Sequence, residues 1–228
     1  MGDTATASDN DRASVPPQLN DSADGWTLAL FGGGAVLSSR RRTVVPRNRK
    51  SQAILGYVAL NPNRRATREQ VAGLLWSESP EPQARASLRQ ALRGLRQVLS
   101  EERIAGVVVD REDTSIVSSE INVDVWTLLS RIKAGELDPL LLETKNISET
   151  LLANLDDLDP AFRTRLLVQR ESLHERLVFE LETRLAELDP EMEAGRHENR
   201  LGKAVALALL NLDPTHEGAC RPLIRASA

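Results

Sequence analysis

Four arginines recur at helical spacing in residues 83–99, whose sequence is QARASLRQALRGLRQVL. They are Arg85, Arg89, Arg93 and Arg96. At about 100° per residue they fall within one sector of roughly 80° of a helix surface. The stretch contains no acidic residue, although a solvated helix face usually mixes both signs of charge and so gains i,i+4 ion pairs. The pattern predicts a helix that binds a polyanion. A basic helix face without any ligand is the alternative.

An amphipathic helix over residues 83–99 is needed to bring these arginines together. Apolar residues recur in the stretch at three- and four-residue steps, and on a helix they share one sector of roughly 120°. They are Ala84, Leu88, Ala91, Leu92, Leu95, Val98 and Leu99. The arginine sector adjoins this apolar stripe on one side. The stretch therefore predicts a helix with one face in the core and a basic face beside it.

The charge of the chain is divided unevenly along its length. The whole chain carries a net charge of −4, which by itself argues against a nucleic-acid binder. Residues 26–99, however, hold 13 Lys and Arg against three Glu, whereas residues 100–228 hold 15 Lys and Arg against 25 Asp and Glu. Such asymmetry indicates a polyanion-binding domain joined to an acidic one, since a basic segment can collect phosphates even when the whole chain cannot.

Length and composition narrow the class of protein. A chain of 228 residues is long enough for one or two domains with a substantial core. Cys220 is the only cysteine, which excludes an intrachain disulfide and a cysteine metal cluster. We expect no membrane association and a cytoplasmic location, because no apolar run approaches about 20 residues and the N-terminus lacks the order of a secretory signal. The polar residues 1–24 predict a disordered tail.

The order of elements predicts an N-terminal winged helix-turn-helix, an α+β fold, in residues 25–120. Short strands are predicted over residues 26–31, 35–37 and 43–45, with a turn at the Gly32-Gly33-Gly34 triplet rather than a phosphate-binding loop, because no Lys-Ser/Thr follows. Three helices follow, and the second begins with a Thr67/Gln70 capping box. Residues 107–117 then predict a β-hairpin. In a winged helix the last helix enters the major groove and the hairpin lies along the DNA backbone.

The acidic second half, residues 121–228, predicts an all-α domain. Apolar residues keep helical spacing in one helix from Val125 to Ile132 and in a long helix over residues 160–188, where Leu167 is one of them. A further helix is predicted over residues 201–212. Helix pairs with a Leu-Asp-Pro break resemble a tetratricopeptide unit, although no complete 34-residue repeat is present.

Several motifs resemble the SARP (antibiotic-regulatory-protein) family of transcriptional activators. The most specific lie between Trp76 and Leu99, and the similarity covers roughly residues 26–228. The motifs are Leu30-Phe31-Gly32-Gly33, Arg49-Lys50, Ile54-Leu55-Gly56-Tyr57, Leu74-Leu75-Trp76, Ala84-Arg85, Leu88-Arg89, Ala91-Leu92, Leu95-Arg96, Val123-Asp124-Val125-Trp126, Leu151-Leu152, Arg170-Glu171, Arg176-Leu177 and Leu212-Asp213-Pro214.

The resemblance implies an OmpR-type winged helix that binds double-stranded DNA, often at direct repeats, followed by a helical, tetratricopeptide-like bacterial transcriptional activator domain. Binding at direct repeats would imply a second copy of the chain on DNA. The acidic second half, with apolar grooves between its helices, would suit RNA polymerase or another copy of the chain as a partner. Two features depart from the family pattern. Pro222 stands where the family usually continues a helix, and the chain stops at Ala228, partway through the helical array. We therefore expect a truncated regulator or the N-terminal part of a longer one.

The predicted DNA contacts lie on the basic helix and at the tip of the hairpin. They are Arg85, Ser87, Arg89, Gln90, Arg93, Arg96, Gln97 and Arg111. Arg89 and Arg93 lie farthest from the apolar stripe, and arginine reads guanine while glutamine reads adenine. For Arg85 and Arg96, pairing with acidic groups of the fold or packing of their stems is an equal alternative. Further backbone contacts are expected from Arg40, Arg41, Arg42, Arg47, Arg49, Lys50, Arg64 and Arg65.

Two other classes of function compete with DNA binding. An enzyme is not expected, because His197-Glu198 lacks the second histidine of a zincin, no G-x-S-x-G motif is present, and the acidic run from Asp156 to Asp159 is typical of a helix start. We accordingly expect no cofactor, no catalytic residue and no metal site. The third class is a helical protein-interaction module whose winged helix no longer binds DNA.

Overall fold

The computed structural model describes residues 25–117, 119–188 and 196–220, with only the backbone for residues 196–199. The predicted disordered tail, residues 1–24, lies outside the described residues, as do Pro222 and the end of the chain. Within the described part, small sheets and helices form the first half and helices form the second. The expected order of an α+β half followed by a helical half is therefore confirmed. The tetratricopeptide-like arrangement stays a prediction.

A four-stranded sheet holds the N-terminal strands. The strands are β1 (Trp26–Ala29), β2 (Val36–Ser38), β3 (Thr43–Val44) and β7 (Ile121–Val123), in the order β3-β2-β1-β7. β1 pairs with β2 in antiparallel orientation and with β7 in parallel orientation. The sequence did not predict β7, and the predicted domain boundary after residue 120 falls just before this strand. The last strand of the sheet is thus contributed by residues beyond the hairpin.

Three helices and a three-stranded sheet complete the first half. They are α1 (Arg49–Leu60), β4 (Arg65–Thr67), α2 (Arg68–Leu75), α3 (Glu81–Glu101), β5 (Val107–Val109) and β6 (Asp113–Ile116), with the strands in the order β4-β6-β5. The predicted Thr67/Gln70 capping box is present at the start of α2. The predicted hairpin is formed by β5 and β6, and its turn is closed by the Asp110 amide, which donates to the Asp113 carbonyl at 2.8 Å.

From Asp124 onward, the regular elements in the described part of the second half are all helical. Its elements are α4 (Asp124–Lys133), α5 (Pro139–Glu143), single 3-10 turns at Ile147–Thr150 and Ala153–Leu155, α6 (Pro160–Leu188) and α7 (Arg196–Leu212). The helix predicted from Val125 to Ile132 is confirmed as α4, and Gly135 follows it with a positive φ of 80°. The long helix predicted over residues 160–188 is confirmed as α6, and Leu167, one of its apolar positions, is 52% exposed.

The Gly32-Gly33-Gly34 triplet forms the predicted turn between β1 and β2, and the second half packs directly on it. The Leu152 amide donates to the Leu30 carbonyl at 2.9 Å, and the Asn154 amide donates to the Gly33 carbonyl at 2.8 Å. Gly33 has a φ of 132°, and a Cβ there would meet the side chain of Asn154. Glycine is therefore required by the turn and by the close approach of Asn154.

Asp124, at the first turn of α4, fastens that helix to the N-terminal sheet. Its carboxylate accepts from the Leu30 amide at 2.8 Å and from the Phe31 amide at 3.1 Å. Burial raises the pKa of Asp124, although these backbone donors act in the opposite direction. The half-buried carboxylate thus connects β1 to α4.

Protonation of Asp157 is expected to remove a contact between the two halves. Arg49 on α1 forms an ion pair with Asp157, and this hydrogen-bonded guanidinium lowers the pKa of the carboxyl from an ordinary value of about 3.9. Between this lowered pKa and about pH 4 the unfolded chain binds more protons than the folded one. The ion pair therefore adds its full stability above about pH 4, and this stability is lost as the pH falls through the lowered pKa.

Asp157→Asn should accordingly lower the melting temperature by about 1–2 °C near pH 7, a small change because both partners are exposed. Thermal unfolding of this variant and the wild type from pH 7 to pH 3 measures the effect. The two melting temperatures should converge at low pH, and a constant difference across the range would contradict the expectation.

Candidate nucleic-acid interface

α3 lies with its apolar stripe in the core and its basic face outward. The buried residues are Ala84, Leu88, Ala91, Leu92, Leu95 and Leu99, whereas Val98 is half-buried. Proline at the second helical position is compatible with a helix start at Glu81, because the first amides of a helix have no internal partner. The amphipathic helix predicted over residues 83–99 is thus confirmed, with a slightly earlier start and a later end.

Arg89 and Arg93 are the two arginines of α3 that the fold leaves available. Both are exposed, and neither forms a side-chain hydrogen bond or ion pair with any residue that the structure describes. Gln90 beside them is exposed as well. Arg89 and Arg93 are the side chains that the sequence places farthest from the apolar stripe. The guanidinium groups of these arginines and the amide group of Gln90 point away from the core with their donors unused.

The other predicted contacts on α3 have intramolecular partners or less exposure. Arg85 forms an i,i+4 ion pair with Glu81, which lies outside residues 83–99 and inside the helix. Gln97 donates to Glu101 Oε1 at 2.8 Å. Ser87 is half-buried. For Arg85 the structure therefore adopts the predicted alternative of pairing with an acidic group.

Arg96 is bound to the hairpin. Its Nε donates to the Val109 carbonyl at 3.0 Å, and its Nη2 donates to the Asp110 carbonyl at 3.2 Å. The next residue of the hairpin turn, Arg111, is exposed. The guanidinium of Arg96 thus connects α3 to the turn that carries the predicted hairpin contact.

A groove of about 780 Å³ lies between α2, the first half of α3 and the tip of the hairpin. Arg68, Arg85, Arg89 and Arg111 are the cations of its lining, and Trp76, Ala72, Ala84 and Leu88 are among its apolar residues. Glu69, Glu81 and Glu112 also line it. The groove brings together arginines from three elements that are distant in sequence.

Arg68, the first residue of α2, is a groove residue that sequence reasoning missed. Its Nη2 donates to the Asp110 carbonyl at 2.9 Å, and its backbone amide donates to the Glu112 carbonyl at 2.9 Å. Burial lowers the pKa of Arg68, and the nearby charges of Arg96 and Arg89 lower it further. The position depends on the pairing of β4 with β6, which the sequence did not predict, so no local signal marked this residue.

Several of the arginines predicted to add backbone contacts are held by the fold. Arg42 pairs with Glu102, Arg49 with Asp157 and Arg65 with Asp113. Lys50 donates to the Leu75 carbonyl and lies 4.4 Å from the centre of the Trp76 ring. These four side chains contribute to the structure of the first half and to its contact with the second.

The acidic run before α6 is accounted for by structural contacts. Asp156 pairs with Arg170 at 3.1 Å and Asp157 with Arg49. Asp159 is buried and accepts from the Ser77 amide at 2.9 Å and from its hydroxyl at 2.6 Å. Within the residues that the structure describes, no group of three or more His, Cys, Asp or Glu side chains is placed to hold a metal ion. The side chains of His197 and Glu198 lie outside the described residues.

Among the described residues, no helix combines the length and the hydropathy that crossing a membrane requires.

Comparisons with known proteins leave the family open. No family model matches the sequence, and no curated protein matches it. Among solved structures, the chain is similar to Mycobacterium tuberculosis EmbR in complex with a low affinity phosphopeptide. The two share 17% sequence identity with a TM-score of 0.47, over 89% of this chain and 59% of that chain. A similarity at this level does not establish a family, so the resemblance to the SARP activators stays a prediction.

Proposed function

We propose that this protein is a sequence-specific DNA-binding transcriptional regulator. In this proposal residues 25–120 are a winged helix-turn-helix, α3 enters the major groove, and the hairpin of β5 and β6 lies along the DNA backbone. The helical second half mediates regulation or oligomerisation, with RNA polymerase or a second copy of the chain on DNA as its partner.

The observation that carries the proposal is the availability of Arg89 and Arg93 on the outer face of α3. Both guanidinium groups are exposed and without a hydrogen-bonded or ionic partner in the described structure, and they lie in the part of the chain that is rich in positive charge. The fold neutralises other arginines, such as Arg85 and Arg65, with carboxylates. A duplex supplies phosphates and guanine edges for the donors that remain.

Apolar side chains on the outer face of α6 favour a protein partner as a second function of the helical half. Phe179 is 64% exposed and Val168 is 54% exposed, and at 11 residues apart they lie on the same face of a helix. Exposed apolar side chains of this kind are common at protein–protein contacts. An interaction module without DNA binding would need only this surface, so the test of the proposal must separate the two.

The experiment measures binding of the full chain to a pool of random-sequence 30-base-pair duplexes across a salt series. We expect the logarithm of the binding constant to fall steeply with the logarithm of salt concentration, because bound phosphates release counterions. Arg89→Ala/Arg93→Ala should weaken binding by about 10- to 100-fold, and should flatten the salt slope by about 1 for each lost phosphate contact.

A matched control removes two positive charges elsewhere. Lys145 and Arg163 are exposed residues of the second half, so Lys145→Ala/Arg163→Ala changes the net charge equally but leaves α3 intact. It should bind as the wild type does. Equal losses in the two double variants would contradict docking by α3. Absence of binding by the folded wild type at low salt would reject the DNA proposal in favour of the interaction module. Selection of one sequence from the duplex pool would test specificity.

A further inference from the structure

The carbonyl groups of the hairpin turn are held by two arginines from different helices. Arg96 of α3 donates to the carbonyls of Val109 and Asp110 at 3.0 and 3.2 Å, and Arg68 of α2 donates to the Asp110 carbonyl at 2.9 Å. The Arg68 amide also donates to the Glu112 carbonyl. Of the four residues 109–112, three therefore have their carbonyl oxygen bonded to α2 or α3. Arg111 is the exposed residue between the last two of these anchors.

We infer that Arg68 and Arg96 are positioning residues: they hold the hairpin turn against α2 and α3 and thereby place Arg111 beside Arg89 at the candidate DNA surface. This inference rests on the proposed function and deepens it. It assigns to Arg96, and to the unpredicted Arg68, a role that differs from direct DNA contact.

The hairpin needs such an anchor because it is short. β5 has three residues and β6 has four, and a small two-stranded ribbon is marginally stable without packing. β6 is supported by β4, where Arg65 pairs with Asp113. β5 lies at the sheet edge, in the order β4-β6-β5. Among the described strands, β5 pairs with β6 alone, so the two guanidinium groups support the edge strand at Val109 and the turn at Asp110.

The geometry of Arg96 suits this role better than contact with a phosphate. Its planar guanidinium uses two donors, Nε and Nη2, on two successive carbonyls. A lysine ammonium carries the same charge on a flexible stem and does not reproduce a planar fork. The convergence of Arg68, Arg89 and Arg96 also lowers the pKa of Arg68, so this arrangement of like charges is maintained by the carbonyl dipoles that two of them bind.

Arg96→Lys is the variant that separates positioning from charge. In hydrogen–deuterium exchange without DNA, peptides covering residues 107–116 should exchange about 10-fold faster than in the wild type. The reason is that the carbonyls of Val109 and Asp110 lose the hydrogen bonds from Arg96, so the hairpin opens more often. Peptides from α1 and α6 should be unchanged. Arg93→Lys is the matched control on the same helix, and its hairpin should exchange as the wild type does. Wild-type exchange of the hairpin in Arg96→Lys would overturn the inference, and this readout does not depend on DNA binding.

DNA-binding measurements test whether the bonds from Arg96 to the hairpin turn place Arg111 at the DNA. Arg111→Ala should weaken binding by about 5- to 10-fold in the wild type and in the Arg93→Lys background, but by less than about 2-fold in the Arg96→Lys background. An undiminished effect of Arg111→Ala in that background would overturn the inference even if hairpin exchange is faster. Failure of the wild type to bind DNA at all is a separate result that rejects the proposed function.

Discussion

Asp159→Ala is expected to destabilise the protein by about 2 kcal/mol, because one buried carboxylate performs two tasks. Asp159 Oδ1 accepts from the Ala161 amide at 3.0 Å in the first turn of α6. The same carboxylate accepts from the amide and the hydroxyl of Ser77, which lies in the turn between α2 and α3. Removal of the carboxylate leaves the start of α6 uncapped and breaks a connection between the two halves.

Two comparison variants separate these tasks. Asn48 caps α1 by accepting from the Lys50 amide at 2.8 Å, and its side chain forms no hydrogen bond with any residue of the second half that the structure describes. Asn48→Ala should therefore lower the free energy of unfolding by about 1 kcal/mol, the effect of losing one helix cap. Ser77→Ala should cost about 1 kcal/mol or less, and should add almost nothing in the Asp159→Ala background. Urea unfolding followed by circular dichroism measures the wild type, the three single variants and the double variant.

The tie between Ser77 and Asp159 would be refuted by strict additivity of the two substitutions. If Asp159→Ala lowers the free energy of unfolding no more than Asn48→Ala does, only the helix cap contributes, and the hydrogen bonds between Ser77 and Asp159 do not stabilise the protein.

Gly56→Ala is expected to destabilise the protein by about 2 kcal/mol, although the same substitution inside a helix ordinarily stabilises by up to about 1 kcal/mol. Gly56 lies within α1, where an added Cβ would stand 2.5 Å from Leu152 Cδ1 and 3.3 Å from Leu152 Cγ. Leu152 is fully buried. An alanine therefore requires Leu152 or α1 to move, and a packed core resists that movement.

The backbone around Leu152 has little freedom to move away from Gly56. Leu152 has a positive φ of 50°, a conformation that costs energy for a residue other than glycine. It is held there by its amide, which donates to the Leu30 carbonyl, and by Arg170, which donates to the neighbouring Leu151 carbonyl at 2.8 Å. These hydrogen bonds hold the side chain of Leu152 at the position that a Cβ on residue 56 would occupy.

Gly94→Ala is the matched control for Gly56→Ala. Gly94 is exposed on α3, and an added Cβ there meets nothing within 4 Å. This substitution should stabilise the protein by about 0.5–1 kcal/mol. Opposite signs of the two effects in urea unfolding would confirm that contact with Leu152 decides the outcome at Gly56. Stabilisation by both alanines would contradict it.

Local sequence patterns predicted the helices of this protein well, because helical periodicity and capping act over a few residues. The apolar stripe that ends at Leu99 and the Thr67/Gln70 capping box are both present as expected. The same patterns identified Arg89 and Arg93, since angular distance from the stripe sets exposure on a single helix. Helical spacing did not show that Leu167 is exposed, because a 29-residue helix presents apolar residues on more than one side, and only its neighbours determine which side is covered.

The sequence by itself thus determined the amphipathic helix, its basic face and the order of an α+β half followed by a helical half. The tertiary structure alone decided which of the other arginines have partners within the fold. β4 and β7 are three residues long and exist because they pair with β6 and β1, partners that lie far away along the chain. That pairing brings Arg68 to the hairpin. Residue types do not reveal bonds to carbonyl oxygens, which every residue carries. For this reason the hydrogen bonds from Arg68 and Arg96 to the hairpin could be recognised only from the tertiary structure.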